Sequence, residues 1–297
     1  MGAMFVVRLR THAIKVAAGL SLGILVLVAG CTPAPKESAS SDQTTSTTSG
    51  ETTKKTPSLP PSALPPAPEA DTCRELRFVD IGRYSNATPT TSCARRHTGL
   101  TFAVTRLSPD IAFDGVRIKN DAIQQQAGEA CRKAFEAYVG GDAATRALVR
   151  LTATYFLPTQ DAYDAGARWV RCDIIALQAE RILADLPMEL EGLLDDDAAV
   201  AAYGLCSTGE PGATDSKQVT CDQPHTYRAI AALRLGTIDD SYPGETRTRV
   251  VGKQRCEDLI VELLGSDGGF TFGWTFPTTQ DWNAGQRFGY CWNKASD

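Results

Sequence analysis

Several motifs that carry common enzyme chemistry are missing from this sequence. There is no G-x-S-x-G turn for a serine nucleophile, no H-E-x-x-H zinc motif and no phosphate-binding P-loop. Only three histidines occur among the 297 residues, so general bases of that type are scarce. The formal net charge of −5 and the lack of a basic patch argue against nucleic acid as a partner. We expect no catalytic residue, no metal and no cofactor.

The sequence also lacks an apolar run long enough to cross a membrane as a helix. Three basic residues precede an apolar stretch from Val16 to Val28, whose 13 residues fall short of the ~20 that a spanning helix requires. A basic start, a short apolar core and small residues before a cleavage point are typical of a secretory signal. We therefore predict that residues 1–30 are a signal peptide.

The end of this run, Val28-Ala29-Gly30-Cys31, resembles the lipobox of bacterial lipoproteins. The resemblance implies that the Cys31 thiol receives a diacylglyceryl group and that the chain is cleaved just before it. Two acyl chains hold a protein on a membrane stably, whereas one binds only marginally. We expect the membrane to be a partner through this lipid, with the protein on its extracytoplasmic face. The alternative is an ordinary cleaved signal with an incidental Cys31.

Residues 31–71 have almost no large apolar side chains. They consist mainly of Ser, Thr, Pro, Ala, Lys and Glu. Such a segment cannot bury enough apolar surface to offset the entropy lost on folding. We predict a disordered tether that holds a folded region away from the membrane.

Eight cysteines remain after Cys31, and they form two groups of four. Each group lies in one copy of three motifs that recur in the same order, namely C-x3-H-T, C-x8-G and P-T-x3-[YW]-x-A-G-x-R-x3-C. This order indicates an internal duplication. We place the first copy at residues 72–177, a connector at 178–204 and the second copy at 205–297. The cysteines are Cys73, Cys93, Cys131, Cys172, Cys206, Cys221, Cys256 and Cys291.

Both copies show the same sequence of strand-like and helix-like patterns. Alternating apolar residues indicate strands, and apolar residues at helical spacing between Pro243 and Gly265 indicate a helix. We predict an α+β fold with two homologous halves, each a helix packed on a small antiparallel sheet. The predicted first-half elements are strands at Thr101–Leu107, Leu148–Phe156 and Arg168–Leu177 and a helix at Asn120–Val139. Those of the second half are two strands within Val219–Leu235, a helix from Tyr242 to Leu264, and strands at Phe270–Phe276 and Gln286–Trp292.

Disulfides persist in exported proteins, and four cysteines in each half allow three pairings. Sequence alone does not choose among them. In each half, the first two cysteines flank a loop that leads into adjacent strands, the third lies on the helix, and the fourth lies on the final strand. This placement favours two bridges per half: Cys73–Cys93, Cys131–Cys172, Cys206–Cys221 and Cys256–Cys291.

The repeated motifs supply the few side chains that could bind a ligand. We expect His97 and His225 to satisfy hydrogen bonds at strand starts rather than hold a metal, because the neighbouring cysteines are taken up in disulfides. Arg168 and Arg287 each follow an aromatic residue, which is Trp282 in the second half, and an Ala-Gly pair. Each guanidinium either braces its own loop by stacking and binding carbonyls or faces a carboxylate-bearing ligand such as a wall peptide.

The same motifs carry a family resemblance. The segment Cys221-Asp222-Gln223-Pro224-His225, the helix pattern F-x2-Y-V-G that begins at Phe135, and the Arg-containing segment that ends in Cys291 are similar to actinobacterial envelope proteins grouped as septum formation-related. The resemblance covers roughly Cys73 to Trp292. It implies an exported, membrane-anchored, cysteine-rich protein without a recognised catalytic site. The first half departs from the pattern, because Arg96 replaces the proline.

We therefore expect a lipid-anchored extracytoplasmic protein with a non-enzymatic role in the cell envelope, in septum formation or wall assembly. Cell-wall or division proteins are the expected partners. Two alternatives stay open, an extracytoplasmic receptor for a small ligand or peptide and an envelope hydrolase. An aromatic-lined pocket between the halves would favour the receptor. A histidine beside a free nucleophile and a carboxylate would favour the hydrolase.

Overall fold

Two antiparallel sheets, each covered by one long helix, are the main features of the computed structural model, which describes residues 66–264 and 271–295. The predicted signal peptide, Cys31 and nearly all of the tether lie outside these residues. Within the described ranges, no helix combines the length and the apolar character needed to span a membrane.

The first half and the connector supply twelve of the helices and strands. In the first half these are β1 (Thr72–Arg74), α1 (Phe78–Ile81), β2 (Thr90–Thr91), β3 (Gly99–Arg106), α2 (Asp121–Val139), α3 (Ala143–Ala147), β4 (Leu151–Phe156), α4 (Gln160–Asp164) and β5 (Trp169–Ala179). The connector contains β6 (Ile182–Leu183), a 3-10 turn (Leu193–Asp195) and α5 (Asp197–Ala202).

The second half repeats the pattern of the first. Its elements are β7 (Leu205–Ser207), β8 (Gln218–Thr220), β9 (Tyr227–Arg234), α6 (Glu245–Leu264), β10 (Phe272–Thr275), α7 (Thr279–Asn283) and β11 (Phe288–Lys294). The first sheet has the strand order β2-β1-β3-β5-β4, with β6 paired to the end of β5, and the second has β8-β7-β9-β11-β10. Corresponding strands therefore occupy corresponding positions, and the predicted α+β fold with two homologous halves is confirmed.

Helix α2 shows why these residues fold as they do. Asn120 caps its start by accepting a hydrogen bond from the Ala122 N–H at 2.9 Å, and Gly140 ends it with a φ of 74°. Buried side chains recur at every fourth position, which puts them on one helix face. They are Ile123, Ala127, Cys131, Phe135 and Val139.

The central strand β5 is buried on both faces. Val170, Cys172 and Ile174 belong to the core beneath α2. On the opposite face, Ile175 packs in a smaller cluster with residues of α1 and β4. Arg171 and Asp173 lie on that same face, because alternate residues of a strand point the same way. The two are almost fully buried, with 2% and 0% of their surfaces exposed.

All four bridges have the pairing that the placement of the cysteines favours, Cys73–Cys93 and Cys131–Cys172 in the first half and Cys206–Cys221 and Cys256–Cys291 in the second. Their Cα atoms lie 5.1 to 5.5 Å apart, which is the usual range for a disulfide. In each half one bridge therefore ties the long helix to the strand on which it packs.

Several element boundaries differ from the sequence-based prediction. The strand predicted at Leu148–Phe156 starts at Leu151, because the side chain of Asp142 caps the short helix α3 just before it. The Pro-Thr segments, where no helix was predicted, contain the helical turns α4 and α7, each capped by the threonine after the proline. Strands β1 and β7 around the first cysteine of each half are so short that alternation does not reveal them.

The two halves join through backbone hydrogen bonds and an apolar cluster. The Leu205 N–H donates to the Leu148 carbonyl at 2.7 Å, and the Arg150 N–H donates to the Tyr203 carbonyl at 2.8 Å. Ala147 of α3 packs in one buried cluster with side chains of the second sheet, including Tyr290 and Trp292. Helix α3 of the first half therefore covers part of the outer face of the second sheet, which is the face opposite to α6.

Candidate functional site

Arg287 lies at the end of the repeated Pro-Thr segment and is 8% exposed. The turn before it depends on Gly285, whose φ of 97° favours glycine. The guanidinium stacks on Trp282, with its central carbon 4.2 Å from the ring centroid. Nε donates to the Thr237 carbonyl at 2.6 Å, Nη2 donates to the Ile238 carbonyl at 3.0 Å, and Nη1 donates to the carbonyls of Trp282 and Gln286. Four of its five N–H groups are therefore used within the chain.

Arg168 makes the matching contacts in the first half. Its guanidinium lies 3.9 Å from the centroid of the Tyr163 ring, and Nε donates to the Ala112 carbonyl at 2.7 Å. Nη1 donates to the carbonyls of Tyr163 and Ala167. The one difference is at Nη2, which pairs with the exposed carboxylate of Asp114 at 3.0 Å. In both halves the arginine joins the loop before the long helix to the turn before the last strand.

This geometry predicts that both arginines stabilise the fold. Arg287→Ala and Arg168→Ala should each lower the free energy of unfolding by about 1.5 to 3 kcal/mol, the range for hydrogen bonds to a charged group. Arg→Lys should restore little, because lysine lacks the planar fork. Thermal and urea melts in oxidising buffer would measure this. Arg255, exposed on α6, provides the control, and Arg255→Ala should change stability by less than about 0.5 kcal/mol. Wild-type melting in both alanine variants would count against the brace.

The two histidines occupy equivalent turns. Nδ1 of His97 lies 2.9 Å from the Arg95 carbonyl, and Nδ1 of His225 lies 2.7 Å from the Gln223 carbonyl. His97 is 1% exposed, and the connector lies over it, since the Leu186 N–H donates to the His97 carbonyl. These contacts place both rings in turns just before β3 and β9, but the expectation that both rings satisfy their hydrogen bonds is wrong for Nε2 of His97, which is buried and has no hydrogen-bond partner.

One cluster of metal-type atoms lies beside His225. The sulfurs of Cys206 and Cys221 and a ring nitrogen of His225 are within 4.8 Å of one another. The two sulfurs are bonded to each other, however. A disulfide is not a thiolate, and thiolates are the ligands that metals prefer among sulfur groups. The oxidised protein therefore lacks the donor set for a metal at this position.

A small polar cavity of about 260 Å³ opens beside the Arg168 brace. Its lining includes Arg117, Gln160 and Asp164. Within it, Gln160 donates to the Asp164 carboxylate at 2.7 Å and accepts from the Ile118 N–H at 3.1 Å. Gln160 and Asp164 are therefore already paired within the chain.

A second cleft, of about 100 Å³, lies between the two halves. Apolar side chains from both halves form most of its wall, and three arginines, Arg146, Arg150 and Arg234, also line it. Sequence reasoning missed this site because its three arginines come from α3, the loop after it and the end of β9, and none of the three belongs to a repeated motif. The nearest signal was the pair Arg146 and Arg150, which are four residues apart.

These features define a class of protein, a duplicated and disulfide-bridged α+β protein in which the arginines of the repeated motif hold loops together. A family model described as "Septum formation" matches residues 70–291, from just before β1 to the last cysteine of the second half. The chain therefore belongs to the septum formation family, which indicates a role in septum formation or cell division. No curated protein and no solved structure matches the chain.

Proposed function

We propose that this protein is a lipid-anchored extracytoplasmic component of septum formation that binds a partner and catalyses no reaction. The observation that carries the proposal is the family match over residues 70–291. Arg168 and Arg287, two of the candidate contact residues, serve as internal braces, so this proposal places the partner contact at other residues. Cell-wall or division proteins are the proposed partners.

The cysteine chemistry supports an extracytoplasmic location. Four disulfides join all eight cysteines of the two halves. Such bridges persist in oxidising compartments and are reduced in most cytosols. The basic start, the apolar run and the sequence Val28-Ala29-Gly30-Cys31 supply the export signal and the lipid anchor in this proposal.

A fluorescent fusion to the carboxyl terminus, in a protein that fluoresces outside the cytoplasm, tests the location in dividing cells. We expect enrichment at mid-cell before and during septation, because the family match indicates that stage of the cell cycle. Even distribution around the whole envelope through division would contradict a septal role.

The lipid anchor can be tested separately. Cys31→Ala should block lipidation and leave a longer precursor that keeps its signal peptide, since the acylated cysteine marks the cleavage point in lipoproteins. Immunoblots of membrane and soluble fractions would show both changes. Thr32→Ala, one residue further on, is the matched control and should be processed normally. If the Cys31→Ala protein still reaches mature size and is retained equally well, the lipobox interpretation is wrong.

A second candidate function, an extracytoplasmic receptor for a small ligand or peptide, is favoured by one specific observation. The cleft between the halves is lined by aromatic side chains, Phe135, Phe288 and Tyr290, together with cationic groups. Clefts at the interface of two structural units are common ligand sites. This function is compatible with a septal location, because a receptor could act there.

A further inference from the structure

We propose that the cleft between the halves binds a short aliphatic carboxylate. This inference goes beyond the proposed septal role and does not depend on it. The ligand would place its carboxylate on the arginines of the cleft and its apolar group against the apolar wall. Its source is either a free organic acid or the carboxyl terminus of a peptide, which present the same chemistry.

The apolar wall is built from both halves. Val149, Leu151 and Leu177 come from the first half, and Phe288 and Tyr290 come from the second. Tyrosine is neutral at physiological pH, and burial raises the pKa of the Tyr290 hydroxyl further. A carboxylate without an apolar part would leave these apolar side chains exposed to water, whereas an aliphatic group would bury them.

None of the three arginines of the cleft forms an ion pair with a described residue, although the charge of Arg146 helps to lower the pKa of nearby Asp142. Arg146 donates to the carbonyls of Gly140 and Gly141, and Arg150 donates to the Leu177 carbonyl and to Gln218. Arg234 lies over the Phe288 ring, 4.7 Å from its centroid. By contrast, five other arginines of the described residues form ion pairs, namely Arg77, Arg96, Arg132, Arg168 and Arg171.

The one carboxylate that lines the cleft does not neutralise these charges. Glu136 pairs with Arg132 on the neighbouring turn of α2. Burial lowers the pKa of Arg150 to about 10, which reflects the cost of holding a cation away from water without a counter-charge. An anion that entered the cleft would supply that counter-charge.

The size of the cleft limits the ligand. The cleft offers about 100 Å³, several times the ~10–15 Å³ of cavity space that one water molecule needs. This space suits a short branched or straight aliphatic acid, or the last side chain and carboxylate of a peptide whose remainder stays outside. A long acyl chain would not fit.

Titration calorimetry on the full mature chain, in oxidising buffer and detergent, tests the proposal with two probes. The probes are isovalerate for a free acid and N-acetyl-leucine for a peptide end. Each is compared with its uncharged amide. We expect saturable binding of at least one acid, at least tenfold weaker binding of its amide, and weaker binding of the acid as salt increases. If isovalerate alone binds, the source is a free acid, and if N-acetyl-leucine binds, the cleft accepts a peptide end.

Variants connect binding to the cleft. Arg150→Gln and Arg234→Gln should each weaken the acid at least tenfold, the loss expected for one charge-assisted contact. Arg106 is the matched control, because it occupies the repeat position of Arg234 and lies outside the cleft. It is opposite Trp169 on the neighbouring strand, as Arg234 is opposite Phe288. Arg106→Gln should bind the acid as the wild type does.

Arg234 is exposed, so its variant still tests the proposal if Arg150→Gln fails to fold. Equal binding of acid and amide, unchanged affinity in the Arg234 variant, or no saturable binding of either acid would overturn the proposal.

Discussion

Replacing Asp173 with alanine is expected to lower the free energy of unfolding by about 3 to 5 kcal/mol, the cost of leaving a buried charge without its partner. Asp173 is fully buried on β5. Its Oδ1 accepts hydrogen bonds from Arg171 Nε at 3.1 Å and from the Thr101 hydroxyl at 2.7 Å. Its Oδ2 lies 2.9 Å from Arg171 Nη2 as an ion pair without hydrogen-bond alignment. Removing this carboxylate would leave Arg171 buried with no acidic partner.

A second cation makes the loss larger. Arg74 donates to the Thr101 hydroxyl, which in turn donates to Asp173. Burial lowers the pKa of Arg74, the charge of Arg171 lowers it further, and the charge of Asp173 raises it. Asp173 therefore holds two mutually repelling guanidiniums in place. Asp173→Asn keeps the shape and removes the charge, so it should lose most of the same stability.

Urea unfolding of both Asp173 variants would measure the effect. Asp114→Ala is the matched control, because Asp114 also pairs with an arginine but its side chain is 99% exposed. An exposed ion pair contributes about 0 to 1 kcal/mol, so this variant should unfold close to the wild type. Losses of similar size in Asp114→Ala and Asp173→Ala would contradict the argument from burial.

The buried ion pair is a feature that the sequence contained but pattern reading passed over. Arg171 and Asp173 alternate with Val170, Cys172 and Ile174, and a period of two puts both charges on one face of a strand. Such alternation usually marks a face in contact with water. Here the segment from α1 to β2 covers that face, and a cover of this kind depends on tertiary contacts that no local pattern reports.

In the second half, apolar aromatic residues replace this buried ion pair. Tyr290 and Trp292 occupy the repeat positions of Arg171 and Asp173, and the apolar cluster around them meets α3 of the first half. The duplication was predictable from three motifs, and with it the fold of each half. The packing of the two halves against each other was not predictable, because it depends on the outer faces of the sheets, where the two copies differ in sequence. The cleft between the halves, which depends on that docking, was therefore unpredictable as well.

The cysteine positions, by contrast, were enough to favour the pairing. Once Cys131 is placed on a helix and Cys172 on the strand beneath it, a bridge between them follows from the packing of helix on sheet. The braces show an intermediate case. Sequence offered two roles for Arg287, and its position between two loops, with carbonyls on several sides, emerged only from the fold.

The second large effect is expected from the bridge between α2 and β5. Replacing Cys131 and Cys172 together with alanine should lower the free energy of unfolding by about 4 kcal/mol on the chain-entropy account, because the bridge spans 41 residues. Both cysteines lie in the main core and are at most 1% exposed. The bridge also fixes the helix on the central strand, so its loss should loosen the packing of that core. Unfolding in urea, followed by far-ultraviolet and tryptophan signals, would measure the change.

The short bridge of the second half provides the comparison that tests this cause. Cys206 and Cys221 are 15 residues apart, so their double alanine variant should lose about 3 kcal/mol, roughly 0.9 kcal/mol less than the longer loop. Reduction of the wild type should bring its stability down to or below that of the Cys131→Ala/Cys172→Ala variant, since reduction opens the same bridge. A larger loss from the 15-residue loop than from the 41-residue loop would mean that local packing around each bridge, and not the length of chain that it closes, sets its contribution.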